Sequence, residues 1–166
     1  VRSTVFVMHS HTPRRDRAGA FSCALALDIA VGFEMTRSDI QAFLAGSPHA
    51  VVGASPNRRK FGNKVLRTYL QHGMKVFAVN PNAEEAEGLL CYPYLAAITE
   101  RIHGVSIITP PAITEDVVDQ AITLGIKHVW MQPGAESGSA VRRAEEAGIN
   151  VIADGSCLLR ELGFNG

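Results

Sequence analysis

The chain has 166 residues, enough for one domain with a substantial hydrophobic core. Hydrophobic residues make up 46% and charged residues 19%, a balance that argues against a disordered chain. The 16 Lys and Arg residues cancel the 16 Asp and Glu residues, so no net charge draws the chain to nucleic acid. Its three cysteines lack C-x-x-C or zinc-ligand spacing, and no apolar run is long enough to span a bilayer. We therefore expect a cytoplasmic protein with no metal site, no nucleic-acid partner and no membrane segment.

The first 35 residues differ from the rest of the chain. They are rich in arginine and poor in acidic residues, which is loosely typical of a transit peptide. The alternative is an irregular extension ahead of the folded domain. We predict an irregular N-terminal extension over residues 1–35 and a binding domain over residues 36–166. A transit peptide would make the location mitochondrial instead of cytoplasmic.

From Thr36 onward, strand-like and helix-like patterns alternate along the chain. Short apolar runs predict five strands, at residues 50–52, 75–79, 105–108, 128–131 and 150–153. Helical spacing and capping residues predict helices at 36–45, from 61 to Gly73, at 94–100, from Thr114 to Gly125, at 139–147 and at 157–162.

Five apolar strands separated by helices predict an α/β domain of three layers, with helices on both faces of a parallel sheet. Right-handed crossovers make this a Rossmann-like, doubly wound five-stranded sheet, which we expect in the order 3-2-1-4-5. In such sheets, ligands bind outside the carboxyl ends of the strands, where the strand order reverses.

The residues that follow the predicted strands are small, polar or turn-forming. Such residues let backbone N–H groups approach a phosphate, and the helix beginning near Phe61 would point its positive end at the same place. The loop after the first strand also carries Arg58, Arg59 and Lys60, which could pair with the phosphates of an anionic cofactor. We find no P-loop, H-E-x-x-H or G-x-S-x-G pattern, so the sequence predicts no catalytic residues.

The first loop departs from the dinucleotide fingerprint. G-x-G-x-x-G would require glycine at Ser55 and Arg58, and Asn80 stands where an acidic residue would hold the ribose of NAD. Both departures argue against NAD. The basic residues of the loop could still favour a phosphorylated cofactor such as NADP, so an NAD(P)-dependent oxidoreductase with an atypical phosphate loop stays open.

Six short motifs occur in order at the predicted strand ends: V-G-A-S, F-G, V-N-P, T-P-P, W-x-Q-P-G and A-D-G-S-C. This ordered set resembles the CoA-binding domain family, which includes small stand-alone CoA-binding proteins and the N-terminal domain of the succinyl-CoA synthetase alpha subunit. The resemblance runs from about Thr36 to the C-terminus. The second domain of that subunit, which carries a phosphorylated histidine, has no counterpart in this sequence.

The resemblance implies a ligand, coenzyme A or a short acyl-CoA, and a set of contacts to it. The phosphates would lie against the first loop, at Gly53, Ala54, Ser55, Pro56, Asn57 and Arg58. Asn80 and Pro81 would flank the adenosine and pyrophosphate, Thr109 and Pro110 would line the cleft beside the adenine or pantetheine, and Gln132 and Gly134 would lie near the outer end. The predicted function is non-catalytic CoA binding by a stand-alone domain, with a homodimer or a ligase partner possible. A CoA-supplying subunit of an acyl-CoA ligase is the alternative.

Overall fold

The computed structural model describes residues 37–166; the predicted extension over residues 1–35 lies outside them. The described helices are α1 (37–45), α2 (Phe61–Gln71), α3 (Pro111–Thr123), α4 (Gly138–Glu146) and α5 (Leu158–Glu161), with a 3₁₀ helix at Leu95–Ala97. The strands are β1 (His49–Val52), β2 (Val76–Val79), β3 (Glu85–Ala86), β4 (Leu89–Tyr92), β5 (Gly104–Ile107), β6 (His128–Met131) and β7 (Asn150–Ile152).

The sheet has seven strands, in the order β3-β4-β2-β1-β5-β6-β7, and all neighbours are parallel except β3 and β4. The α/β Rossmann-like class is confirmed, but the expectation of five strands is wrong. The five predicted strands form β1, β2, β5, β6 and β7. The two missed strands form a hairpin in which β3 has only two residues, too short for a periodic signal.

The predicted strand order is also wrong in one place. We expected the strand at residues 105–108 to lie outside β2, but this strand, β5, pairs with β1. The position beside β2 is taken by β4, because the chain turns back through the β3–β4 hairpin directly after β2. Reversal of the strand order therefore falls between β1 and β5.

Alternating residues of the central strands fill two hydrophobic cores, one on each face of the sheet. Val52 and Ile107 pack in the core under α3, α4 and the 3₁₀ helix. Val51 and Trp130 pack in the other core, under α1, α2 and α5. This period of two, buried on both faces, is typical of a parallel sheet in a three-layer domain.

Helix α3 begins earlier than the sequence suggests. We expected Thr114 to cap it, but the helix begins at Pro111 and Thr114 is a buried residue of its first turn. Proline is favoured at the first helical position because its fixed φ suits the helix and it has no N–H to leave unbonded. No helix among residues 37–166 has both the length and the apolar character needed to cross a membrane.

Candidate functional site

The carboxyl ends of β1, β2 and β5 open into a cleft of about 400 Å³. It lies where the strand order reverses, which is the usual ligand position in an open α/β sheet. Its volume is in the range of small-molecule sites. Residues from the strand ends, from the chain after β4 and from α3 line it: Val52, Gly53, Val79, Asn80, Pro81, Asn82, Pro93, Tyr94, Leu95, Thr109, Ile113, Asp116, Val117 and Gln120.

The β1–α2 loop (residues 53–60) forms one side of the cleft at Gly53. Gly53 has a φ of +92°, a conformation that side chains rarely adopt. A Cβ on Gly62, in the first turn of α2, would overlap the carbonyl oxygen of Gly53. The two glycines therefore let the start of α2 lie directly against the end of β1, with the positive end of the helix beside the loop.

Several hydrogen bonds hold the β1–α2 loop in shape. The Asn57 N–H donates to Ser55 Oγ (3.2 Å), and the Arg59 N–H donates to Asn57 Oδ1 (3.0 Å). The backbone N–H groups of Ala54 and Ser55 have no acceptor within residues 37–166. A buried N–H without a partner costs free energy, so these two groups favour an anionic ligand.

Asn80, at the end of β2, braces this loop from the neighbouring strand. Its Nδ2 donates to the carbonyl oxygen of Ala54 (2.6 Å), and its Oδ1 accepts from the N–H of Asn82 (2.8 Å). Both ends of the amide side chain are thus bonded within the protein. Asn80 lines the cleft while holding Ala54 in place.

The opposite side of the cleft is formed by the α3 face, which we define as Ile113, Asp116, Val117 and Gln120. The spacing of these residues is that of one helical face. Ile113 is 49% exposed, and Tyr94 beyond it is 54% exposed. Two large apolar side chains that are half exposed at a cleft give it an apolar rim suited to a flat ring.

The matching family model is the CoA binding domain, and it covers residues 48–162, from just before β1 to the end of α5. The chain belongs to the CoA binding domain family. This confirms the family predicted from the motifs, and the family implies an interaction with CoA.

Similar proteins agree with this family. A hypothetical protein from Pyrococcus horikoshii OT3 is 35% identical with a TM-score of 0.72, over 76% of this chain and 88% of that one. An ADP-forming acetate–CoA ligase of Archaeoglobus fulgidus is 28% identical over 119 residues, which are 66% of this chain and 17% of the ligase. The dinucleotide-forming acetyl-coenzyme A synthetase 1 of Candidatus Korarchaeum cryptofilum, solved with phosphate and ADP, is 28% identical with a TM-score of 0.61, over 70% of this chain and 28% of that one. The chain thus spans about a sixth of the length of the ligase that it matches.

In this CoA binding domain, the structure brings four of the predicted site residues together on the cleft: Gly53, Asn80, Pro81 and Thr109. Ala54 and Ser55 follow Gly53 in the chain; they are buried and are not among the residues that line the cleft. Pro56, Asn57 and Arg58 are exposed on the β1–α2 loop, and Pro110 is exposed where α3 begins.

Two predicted residues of the CoA binding domain lie away from the cleft. Gln132 is fully buried, and its Oε1 accepts from the N–H of Leu158 in α5 (3.0 Å). Gly134 is exposed, and its N–H donates to Glu136 Oε2 (2.7 Å). The binding roles proposed for Gln132 and Gly134 stay predictions without support from their positions.

Sequence reasoning missed the α3 face and Tyr94. A signal for the α3 face was present, because residues 113, 116, 117 and 120 fall on one side of a helix that follows a strand-end loop. We find no sequence signal for Tyr94, which follows the missed strand β4. Within residues 37–166, no group of His, Cys, Asp or Glu side chains is arranged to hold a metal ion.

Proposed function

We propose that the cleft binds coenzyme A or a short acyl-CoA, and that this domain holds the ligand without transforming it. The observation that carries the proposal is the pairing of two features across one cleft. On one side is Gly53, where the β1–α2 loop begins and against which the start of α2 packs, and on the other is the half-exposed rim of Tyr94 and Ile113. CoA has the matching parts, phosphates at one end of its nucleotide and a flat adenine at the other.

The phosphates of CoA would lie at the β1–α2 loop. The N–H groups of Ala54 and Ser55 are without an acceptor among the described residues, and the positive end of α2 points to the same place. Arg59 and Lys60 are exposed at the end of the loop and form no ion pair in the described part of the chain. They would add positive potential near the phosphates without fixing their position.

The adenine would pack at the rim between Tyr94 and Ile113. A purine can stack on an aromatic ring and pack against an aliphatic side chain through its flat faces. Its polar edge then stays free for hydrogen bonds. Asp116, one turn further along α3, provides oxygen acceptors near that edge, and Gln120, two turns along, provides a side-chain amide. The acceptor oxygen of Gln120 already binds the N–H of Leu95 (3.2 Å), which leaves its amide nitrogen for a ligand.

The residues that line the cleft support binding rather than catalysis. No Cys, His, Ser, Lys or Arg side chain is among them, and Asp116 and Tyr94 are the titratable groups. General acid–base or nucleophilic catalysis requires a positioned pair of such groups within hydrogen-bond reach. The proposed role is therefore that of a CoA-holding domain acting alone.

A second candidate is a CoA-supplying domain or subunit of an acyl-CoA ligase. The observation that favours it is the 28% identity to a segment of an ADP-forming acetate–CoA ligase. In that case the catalytic groups would come from another domain or chain. Affinity purification of the full chain from its native cell, with CoA present, would recover a ligase partner at a fixed stoichiometry.

A thermal-shift titration of the full chain with CoA, acetyl-CoA, NAD and NADP tests the proposal. A ligand that binds only the folded state contributes about 2.7 kcal/mol at one hundred times its dissociation constant. We expect CoA and acetyl-CoA to raise the melting temperature and NAD and NADP to leave it unchanged. A rise with NADP alone would overturn the proposal in favour of an oxidoreductase, and no rise with CoA at millimolar concentration would count against CoA binding.

A further inference from the structure

The turn of the β3–β4 hairpin contains a residue in an unfavourable backbone conformation. Glu87 and Gly88 form a two-residue turn, and among residues 37–166 Glu87 is the one non-glycine residue with a positive φ, +49°. Asn or Gly is favoured at such a position, and a glutamate there is strained. The side chain of Glu87 makes contacts that Asn or Gly at this position could not reach.

Glu87 reaches from this hairpin to the β1–α2 loop and binds Arg58 with both oxygens. Arg58 Nε donates to Oε1 (2.9 Å) and Nη2 donates to Oε2 (2.7 Å). This is the two-pronged geometry in which guanidinium and carboxylate bind most strongly. The Glu87 side chain is 13% exposed and that of Arg58 is 67% exposed, so the carboxylate is the fixed member of the pair.

A third residue connects Glu87 to the start of α2 and to the loop backbone. The buried Asn63 donates from Nδ2 to Glu87 Oε1 (2.9 Å) and to the carbonyl oxygen of Ser55 (2.8 Å). Hydrogen bonds from Arg58 and Asn63 lower the pKa of Glu87 to about 2. The carboxylate therefore stays ionised at neutral pH while it holds Arg58 directly and is linked to Ser55 through Asn63.

We propose that Glu87 is a positioning residue for the phosphate end of the ligand site. It fixes the β1–α2 loop so that the N–H groups of Ala54 and Ser55 are already arranged for an anion when the ligand arrives. Arg58 then acts through Glu87 and not on the phosphates directly, which changes the role that the sequence suggested for it. Arranging a loop before binding raises affinity because less conformational entropy is lost when the ligand binds. The inference rests on the proposed function.

The test compares ADP with adenosine, because only ADP reaches the phosphate end of the site. Dissociation constants are measured by calorimetry on the full chain for wild type, Glu87→Ala, Arg58→Ala and the double variant. We expect Glu87→Ala and Arg58→Ala each to weaken ADP and CoA by about tenfold and to leave adenosine unchanged. The double variant should be no weaker than either single variant, because the two residues act as a unit.

Two control variants separate positioning from general stability. Glu85→Ala removes an exposed acidic residue of the same hairpin and should change no dissociation constant. Glu87→Asn suits the backbone conformation of the turn but is too short to reach Arg58, so it should keep the hairpin folded and still weaken ADP. It also covers the case in which Glu87→Ala does not fold.

Each other outcome contradicts the proposal in a recognisable way. Tighter ADP binding by Glu87→Ala would show that Glu87 competes with the phosphates for Arg58. Additive losses in the double variant would show that Arg58 contacts the ligand independently. Equal losses for ADP and adenosine would indicate a general structural effect. Failure of the wild-type chain to bind CoA or ADP would overturn the proposed function itself, whereas normal binding with no effect of Glu87→Ala would overturn only this inference.

Discussion

The two edges of the sheet are built from different residues. At the carboxyl edge, glycines, prolines and polar side chains surround a cleft, and the N–H groups of Ala54 and Ser55 have no acceptor in the described part of the chain. At the amino edge, His49, His103 and His128 lie in a row, with ring centroids 5.6 Å and 4.4 Å apart. Each of these three histidines forms a hydrogen bond with another residue of the protein.

The amino edge is closed by helix α1. His49 Nε2 donates to the carbonyl oxygen of Phe43 (2.9 Å), and His103 Nε2 donates to that of Ala42 (3.2 Å). The last carbonyl groups of a helix lack partners within it, so these imidazoles complete the hydrogen bonding of α1. The polar groups of the amino edge are therefore bonded within the protein, whereas the carboxyl edge has backbone N–H groups without an acceptor among residues 37–166. Substitutions at the two edges should therefore have opposite consequences.

The largest effect on stability is expected from Phe43→Ala at the amino edge. Phe43 is fully buried, with its ring 5.3 Å from that of Trp130 and 4.9 Å from that of His49. Its loss leaves a cavity and should lower the free energy of unfolding by about 4 kcal/mol. Urea denaturation measures this. CoA affinity at low temperature should stay unchanged. A loss of affinity in the folded variant would contradict the view that the amino edge contributes to stability and not to binding.

Gly62→Ala should affect both stability and binding, because it moves the β1–α2 loop. The new Cβ would overlap the carbonyl oxygen of Gly53, and relieving that overlap should cost about 2 kcal/mol. CoA affinity should fall as well. Gly138→Ala is the matched control, since it also lies at the start of a helix but its Cβ would meet nothing closer than 3.8 Å. Equal denaturation midpoints for the two variants would contradict the close approach of α2.

The extent to which the sequence predicted this structure follows from where its signals lie. The central strands were predictable because Val51, Val52 and Val105 fall in short apolar runs. Gly53, Asn80 and Thr109 follow such runs, and the ends of parallel strands meet at one edge. The hairpin was not predictable, because β3 is only two residues long and its turn is Glu-Gly rather than the usual Asn-Gly.

Two site predictions show the limits of reading single residues. Gln132 follows β6 and was expected near the ligand, but it lies on the same face as Trp130 and is covered by α5. Arg58 was expected to bind phosphate, but the structure pairs it with Glu87, which is 29 residues away. Both contacts depend on tertiary packing that local patterns do not encode. The binding roles of these residues stay predictions.

Ile113→Ala should weaken CoA binding by several-fold, a loss of about 1 kcal/mol, with little change in stability. The side chain is half exposed on the α3 face, so folding buries little of it while a bound adenine would cover it. Leu124→Ala is the matched control, because Leu124 is 44% exposed at the end of the same helix and does not line the cleft. Calorimetry with CoA measures both. Equal effects of the two substitutions would remove Ile113 from the proposed site.

The smallest effect is a pH dependence of stability at the amino edge. Burial lowers the pKa of His49 and of His128 below the ordinary 6.5, and the nearby His103 lowers both further. Two contacts oppose this, the Phe43 carbonyl at His49 and Asp39 near His128. The unfolded chain then binds protons more readily than the folded chain. Stability should therefore be full above pH 6.5 and decline as the pH falls below it.

Urea denaturation midpoints between pH 7.5 and pH 5 measure this decline. His128→Gln should reduce it, because the variant removes a group whose protonation competes with the hydrogen bond from Asn150 Nδ2 to His128 Nδ1 (3.1 Å). An unchanged pH profile in the variant would contradict a role for His128. Stability that rises as the pH falls would contradict the lowered pKa values.

Hydrogen–deuterium exchange of the full chain with and without CoA tests directly whether the cleft is the CoA site, because it reports on both edges in one experiment. We expect slower exchange on CoA binding in residues 53–62, which are the β1–α2 loop and the start of α2, and in residues 109–120, which include Thr109 and the α3 face. Residues 37–49 and 126–128 at the amino edge should exchange at the same rate with and without CoA. Protection confined to the amino edge, or none at saturating CoA, would contradict the assignment of the cleft as the CoA site.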